Sequence, residues 1–352
     1  MSFNTIEQLF IEDTSNRLDL KRENLCTYGI APLDHACACI FPDEVVVIGA
    51  DSGAGKTTLS LHIARHNVRK GKRVALYHLE GNQYEPVQRL KWQDICRIYY
   101  QNYKSLCYDM EYKKFLLGEI GPEIATIEAQ VYSEYKEQFA NKLFIYKKQA
   151  GLTLEKFKDS LENFSNLMPI DLLLGMKDVT SAVKASLDID LIIIDHLQYF
   201  SLTNPMNELQ EISEILRTCK TISESFNIPI IIISHLRKKG KERYMPGQED
   251  FHGTSNIAKI ASTAITLMPD YDNYDHYNLE FPTFIRVAKS RLGVEPNLAM
   301  RCIFNGRLRK YEESYLIHKI DSFGVVNEEH MEHAALPQWA KQHIKKEIVN
   351  EQ

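Results

Sequence analysis

Apolar residues fall along this chain in two rhythms. Continuous, β-branched runs (Val45 to Ile48, Leu191 to Ile194, Ile228 to Ile233) suit strands buried on both faces. Between them, Leu209, Ile212, Ile215, Leu216, Cys219, Ile222 and Phe226 recur at three- and four-residue steps and predict a helix over 207–226. A second helix is predicted over 55–70, closed by Gly71, and a strand over Arg73 to Leu79. Weaker signals mark a strand at Leu143 to Tyr146, a helix at Leu154 to Phe164, and strands near 262–268, 283–289 and 299–305. The stretch 83–140, rich in Tyr, Lys, Glu and Gln, reads as mainly helical. Near the N-terminus, Phe3, Ile6, Leu9 and Phe10 share one face of a predicted helix over 3–16, with Thr5 and Gln8 spaced as a capping box. So short a helix needs something under its apolar face, either its own domain or a neighbouring subunit.

Strand and helix in alternation predict an α/β fold with a twisted, mainly parallel sheet flanked by helices. The expected organisation is a docking helix in 1–24 and one domain over 25–312 with a helical insertion at about 91–140. A charged extension over 313–352 follows, its tail 336–352 helical.

Composition narrows the picture. The chain has 352 residues, 44% hydrophobic and 25% charged, which excludes a mostly disordered chain, a collagen-like chain and a coiled-coil rod. Lys and Arg total 42 against 47 Asp and Glu, a net charge of −5, so any contact with phosphate must come from a local patch. No apolar run approaches the roughly 18–20 residues of a membrane span, and the N-terminus lacks a signal core. Seven cysteines, an odd number with no CxxC pair, suggest free thiols and a cytoplasmic protein that contacts no membrane.

The most informative stretch follows the first apolar run. Ala50, Asp51, Ser52, Gly53, Ala54, Gly55, Lys56, Thr57 and Thr58 fit the pattern [AG]xxxxGK[ST], between a predicted strand and a predicted helix. In such a loop, glycines let backbone N–H groups curl around an anion and the helix N-terminus adds positive charge. Lys56 would reach the β- and γ-phosphates of ATP, and Thr57 would place its hydroxyl on Mg²⁺. Three more predicted strands end in polar residues, at the edge where parallel sheets bind ligands. Asp195 would hold Mg²⁺ through water, Glu80 would polarise the attacking water, and His235 would touch the γ-phosphate. Each has a plainer reading: a helix cap for Asp195, a surface acid near Arg89 and Lys91 for Glu80, a structural histidine for His235.

Five ordered motifs then carry a family resemblance. They are Tyr28-Gly29-Ile30-Ala31-Pro32-Leu33-Asp34 with the phosphate loop, His78-Leu79-Glu80, Ile194-Asp195-His196-Leu197-Gln198, Ser234-His235-Leu236, and Ala288-Lys289-Ser290-Arg291-Leu292-Gly293. Together they resemble the RecA-type ATPase domain of DnaB-type replicative helicases over about residues 25–310. The resemblance implies an ATP-hydrolysing, DNA-translocating ring hexamer that works with replication or loader proteins. It implies that Lys289 and Arg291 reach the γ-phosphate held by a neighbouring subunit, both on one face of a strand. It also implies that the basic segment Arg237, Lys238, Lys239, Lys241 and Arg243 grips single-stranded DNA. The sequence departs from the family in having Ala50 first in the loop, in 250–264, where His252, Lys259 and Ser262 take comparable places, and in having no helical, primase or zinc module before residue 25. A RecA-fold regulatory or assembly ATPase that does not unwind DNA, or a recombination mediator, remains an alternative.

Overall fold

The structure is a computed structural model. It describes residues 5–19, 21–51, 54–103, 111–146, 151–164, 187–202, 207–237, 244–251, 256–275, 279–306 and 310–344. Among these, ten strands join in one sheet: β1 (Val45–Ala50), β2 (Val74–His78), β3 (Leu143–Ile145), β4 (Leu191–Asp195), β5 (Ile230–His235), β6 (Thr263–Pro269), β7 (Glu280–Lys289), β8 (Leu298–Asn305), β9 (Lys310–Ile320) and β10 (Val326–His330). Their order is β10-β9-β8-β7-β6-β1-β5-β4-β2-β3. From β6 to β3 all neighbours are parallel, and from β6 to β10 they form an antiparallel meander. The sheet is thus mixed, parallel where the strand-end residues lie.

Helices follow the predicted punctuation: α1 (Ile6–Asp19), α2 (Ala31–Cys37), α3 (Lys56–Arg69), α4 (Glu85–Tyr103), α5 (Tyr112–Leu116), α6 (Pro122–Gln138), α7 (Leu154–Glu162), α8 (Glu208–Phe226), α9 (Asn256–Ile260) and α10 (Gln338–Lys341). The parallel strands are buried on both faces, and their side chains alternate between two cores. Val46, Ile48, Ile193, Ile231 and Ile233 pack with Leu59, Ile63 and Ala64 of α3. Val45, Val47, Ile192, Ile194, Ile230 and Ile232 pack with Ile212, Ile215, Leu216, Cys219 and Ile222 of α8. Each such side chain contributes roughly 1.5–3 kcal/mol, so the two cores fix the strand register that aligns the polar ends.

The helices α4 to α6 build a satellite core of their own, with Trp92, Ile95, Cys96 and Ile98 against Phe115, Ile127 and Val131. The capping box at the start of α1 forms as predicted: Thr5 N–H donates to Gln8 Oε1 (3.0 Å) and Gln8 N–H to Thr5 Oγ1 (3.2 Å). The apolar side chains of α1 stay exposed, Ile6 at 83% and Phe10 at 69%.

Two expectations differ from the structure. Residues 313–330, read as part of a charged extension, belong to β9 and β10 of the sheet. One face of β9 carries Lys310, Glu312 and Glu313 to solvent, and Tyr311, Tyr315 and Ile317 pack into the core. Charge on the outer face masks such a strand in the sequence. Of the tail read as a helix over 336–352, only Gln338–Lys341 is helical among the described residues, and 345–352 lie outside them.

Candidate functional site

The carboxyl ends of β1, β5, β4 and β2 lie side by side. Register pairs Ala50 with His235 and His78 with Asp195. The sheet order therefore gathers four sequence-distant polar residues on one edge: Lys56 after β1, His235 on β5, Asp195 on β4 and Glu80 after β2.

The loop after β1 turns sharply into α3. Gly55 takes a left-handed conformation (φ 80°) at the N-cap, a conformation glycine adopts without strain. A Cβ on Gly49, inside β1, would run into Leu236 and Phe251. Asp51, Ala54, Gly55, Thr57 and Thr58 are placed around the turn, and Ser52 and Gly53 lie outside the described residues. Lys56 is buried and its Nζ donates to the carbonyls of Ala50 (3.3 Å) and Asp51 (2.7 Å). Burial pushes its pKa below the ordinary lysine value, and the charges of Glu80, Asp195 and Asp51 work against that.

Asp195 is fully buried. Its Oδ2 accepts from Ser60 Oγ at 3.0 Å and lies 3.4 Å from His78 Nδ1. Its Oδ1 has no hydrogen-bond partner among the described residues. A buried carboxylate oxygen left this way is costly unless something positive completes it. Thr57, half-buried in the first turn of α3, stands one turn before Ser60, whose Oγ donates back to the Thr57 carbonyl (2.9 Å).

A polar chain ties the other strand ends together. Glu80 Oε2 lies 3.2 Å from His196 Nε2. His196 Nδ1 meets Gln198 Oε1 at 3.0 Å, and that same oxygen accepts from the His235 backbone N–H at 3.3 Å. Gln198 Nε2 donates to Ser234 Oγ (2.9 Å). The rings of His196 and His235 meet edge to face, 4.2 Å between centroids. Burial pushes the His196 imidazole below its ordinary pKa, and Asp195 opposes the shift.

Lys289 ends β7 and is not free: its Nζ donates to the carbonyls of Lys259 (3.1 Å) and Ala261 (2.6 Å). Burial, then the nearby Arg291 charge, lower its pKa. Arg291 lies exposed in the turn after β7, so the pair does not share one strand face as predicted. The strand stops because the chain turns at Arg291-Leu292 toward Gly293 (φ 79°).

Of the basic segment, Arg237 is exposed, and its backbone N–H donates to Asp250 O (2.7 Å), closing the base of the loop that follows His235. Lys238, Lys239, Lys241, Arg243 and His252 lie outside the described residues. Lys259 is exposed and Ser262 is buried, its N–H donating to Val45 O.

Sequence reasoning assigned no role to Ser60, His78, Gln198 and Ser234. For Ser60 a signal exists: it sits one helical turn after Lys56 and faces the same side. For Gln198 none does, because its partners come from the β4–β5 pairing.

Residues 130–313 match the family model of the DnaB-like helicase C-terminal domain. The match includes Asp195, His235, Lys289 and Arg291 and begins after the phosphate loop. The chain is 21% identical over 294 residues to the replicative DNA helicase DnaB of Buchnera aphidicola, covering 81% of this chain and 56% of that protein. It is 24% identical over 277 residues to the DnaB of Geobacillus stearothermophilus, covering 75% and 52%. It thus spans little more than half the length of these relatives. Among solved structures, a helicase ATPase domain superposes with a TM-score of 0.64 at 17% identity, over 89% of this chain and all of that one. A DnaB-like replicative helicase superposes with a TM-score of 0.55, also at 17% identity, over 92% of this chain and 67% of that one. The fold is that of RecA-like helicase ATPase domains.

Proposed function

Because the chain belongs to the DnaB-like helicase C-terminal domain family, we propose that it hydrolyses ATP between subunits of a ring and couples hydrolysis to movement on single-stranded DNA. The observation that carries this reading is the convergence of Lys56, Asp195, Glu80 and His235 on one sheet edge.

The loop 50–58 wraps the phosphates, and Lys56 leaves its two carbonyl partners to meet the β- and γ-oxygens. The donor set fits Mg²⁺: one carboxylate oxygen without a partner on Asp195 and a hydroxyl on Thr57, the sparse protein ligation this ion takes beside phosphates. Bound there, Mg²⁺ would neutralise charge developing on the phosphates. Glu80 accepts a proton from the attacking water, held in place by His196. His235 faces the γ-phosphate position, and Gln198 ties its backbone to His196 beside Glu80.

Arg291, exposed in its turn, serves as the finger of the neighbouring subunit. Lys289, engaged with the end of α9, holds that turn in place. The exposed face of α1 packs on a second copy, and a hexamer satisfies each site. The segment 237–243, rooted where Arg237 meets Asp250, contacts DNA phosphates, and loader or replication proteins are expected partners. Among the described residues, no helix is long and apolar enough to cross a membrane.

The test is ATPase rate with and without single-stranded DNA, with mass by light scattering and strand displacement on a forked duplex. The expected result is a DNA-stimulated hexamer that displaces strands. The Arg291→Ala variant should lose at least about 10³-fold in rate while folding normally. Full hydrolysis by that variant removes the trans finger, and a DNA-insensitive monomer that displaces nothing makes the protein a regulatory ATPase.

A further inference from the structure

The far end of α3 faces a second polar cavity, of about 410 Å³, that the nucleotide site does not use. Arg65 and Arg69 of α3, Arg97, Tyr100 and Gln101 of α4, and Lys310 at the start of β9 line it. At about 1.5 Å per residue, Arg65 lies some 13 Å along the helix from Lys56, so the two sites are separate.

The cavity has a built base. Asp94, fully buried, receives three arginines on its Oδ1: Arg65 Nη2 at 2.8 Å, Arg97 Nε at 2.9 Å, and Arg69. Its Oδ2 accepts from Tyr135 Oη at 2.9 Å. Burial drives the Asp94 carboxyl up, and Arg65 and Arg69 more than reverse this, holding it below the usual carboxylate range. Asp94 is therefore charged and fixes the guanidinium planes.

One buried carboxylate cannot balance what surrounds it. Arg65, Arg69, Arg97 and Lys310 face Asp94 and Glu134, the latter paired with Arg97 at 2.7 Å. Two positive charges remain in excess at the cavity wall. His62 and His66 add none, since burial lowers both imidazoles. Donors are also in surplus. Arg65 uses its Nη atoms on Gln93 (3.1 Å) and Asp94, and its buried Nε has no hydrogen-bond partner among the described residues. Preorganised guanidinium forks with spare donors match phosphate oxygens two at a time. Tyr100, 47% exposed at the rim, offers a ring face beside them.

We propose that this cavity binds a phosphorylated small molecule of nucleotide size carrying at least two negative charges. The volume falls in the range of ordinary small-molecule sites. Recession favours a small molecule over a polymer backbone: Arg65 is only 12% exposed, and the Asp94 that orients the arginines is sealed beneath them. The proposal does not rest on ATP hydrolysis or on ring assembly.

The experiment is calorimetric titration of the full chain carrying Lys56→Ala, so that the phosphate loop is disabled, with pyrophosphate as probe. One pyrophosphate should bind per chain. Lys310→Gln should weaken it by about ten-fold, and so should Gln101→Glu, which sets a carboxylate at the exposed rim without touching the arginines. Both changes are at exposed positions and should leave the thermal melt unaltered. ATP should displace the probe, and a short oligothymidylate should not. Absence of pyrophosphate binding overturns the proposal, as does binding indifferent to both substitutions. Displacement by the oligonucleotide as effective as by ATP would assign the cavity to a nucleic-acid backbone and overturn it equally.

Discussion

The two halves of the sheet differ in what they are made for. The parallel half, β1, β5, β4 and β2, consists of apolar strands that each end in a polar residue, and those ends meet at one edge. The antiparallel half, β7 to β10, carries mixed strands with one wet face and contributes only Lys289 and Arg291 at its inner end. Chemistry is concentrated where buried strands stop together. The meander supplies core surface: Ile285, Val287, Met300 and Ile317 extend the apolar layer that α3 and α2 cover.

The sharpest way to break this contrast is to remove function from one half without harming its fold. Lys56→Ala should lower ATP hydrolysis by on the order of 10³-fold with little change in thermal melting, read by phosphate release and circular dichroism. A fall in melting as steep as the fall in rate would mean that the loop also holds the parallel half together. The reverse experiment is Ile317→Ala, at a fully buried position on β9. It should cost about 2–5 kcal/mol of stability in denaturant titration and leave nucleotide affinity intact.

His62 tests the joint between the halves. It sits on α3, its Nε2 donates to Gly29 O at 2.6 Å, and its ring meets Tyr311 of β9 edge to face. Burial pushes its imidazole down to about 4, whereas in the unfolded chain it takes up a proton near pH 6.5. This contribution is complete above pH 6.5 and drains away as pH falls toward 4, by on the order of 3 kcal/mol. A His62→Gln variant should lose that part of the pH slope in melting curves, and an unchanged slope would place the titration elsewhere. The smallest effect should come from Ser60→Ala, which deletes the donor to Asp195 Oδ2. It should cost about 1 kcal/mol, visible as a slight fall in melting temperature and a few-fold slower hydrolysis.

The same contrast explains what the sequence discloses. Val45 to Ile48, Leu191 to Ile194 and Ile230 to Ile233 are apolar without interruption, so the residues that end them stand out, and Asp195 and His235 are found from the pattern alone. β9 reads Lys-Tyr-Glu-Glu-Ser-Tyr-Leu-Ile-His-Lys-Ile, and its charges pass for those of a solvated extension until β8 is seen beside it. Arg291 was expected on a strand because spacing reveals which residues would share a face, not where the strand stops. The links Glu80–His196–Gln198–Ser234 and Ser60–Asp195 depend on which strands are neighbours. That order is set by helix packing on both faces, and no local rhythm encodes it. The three arginines on Asp94 are hidden for the same reason: they come from two helices whose contact is tertiary.

The ten-stranded sheet also has two margins, and both are poor templates. β3 has three residues, and β10 pairs with β9 in an irregular register while exposing Glu328 and Glu329. Brief or acidic margins discourage a stray strand from zipping on. A protein that must gather copies of itself in a defined geometry thereby closes its most promiscuous route to aggregation, and association is left to helix faces and loops, where shape and charge choose the partner.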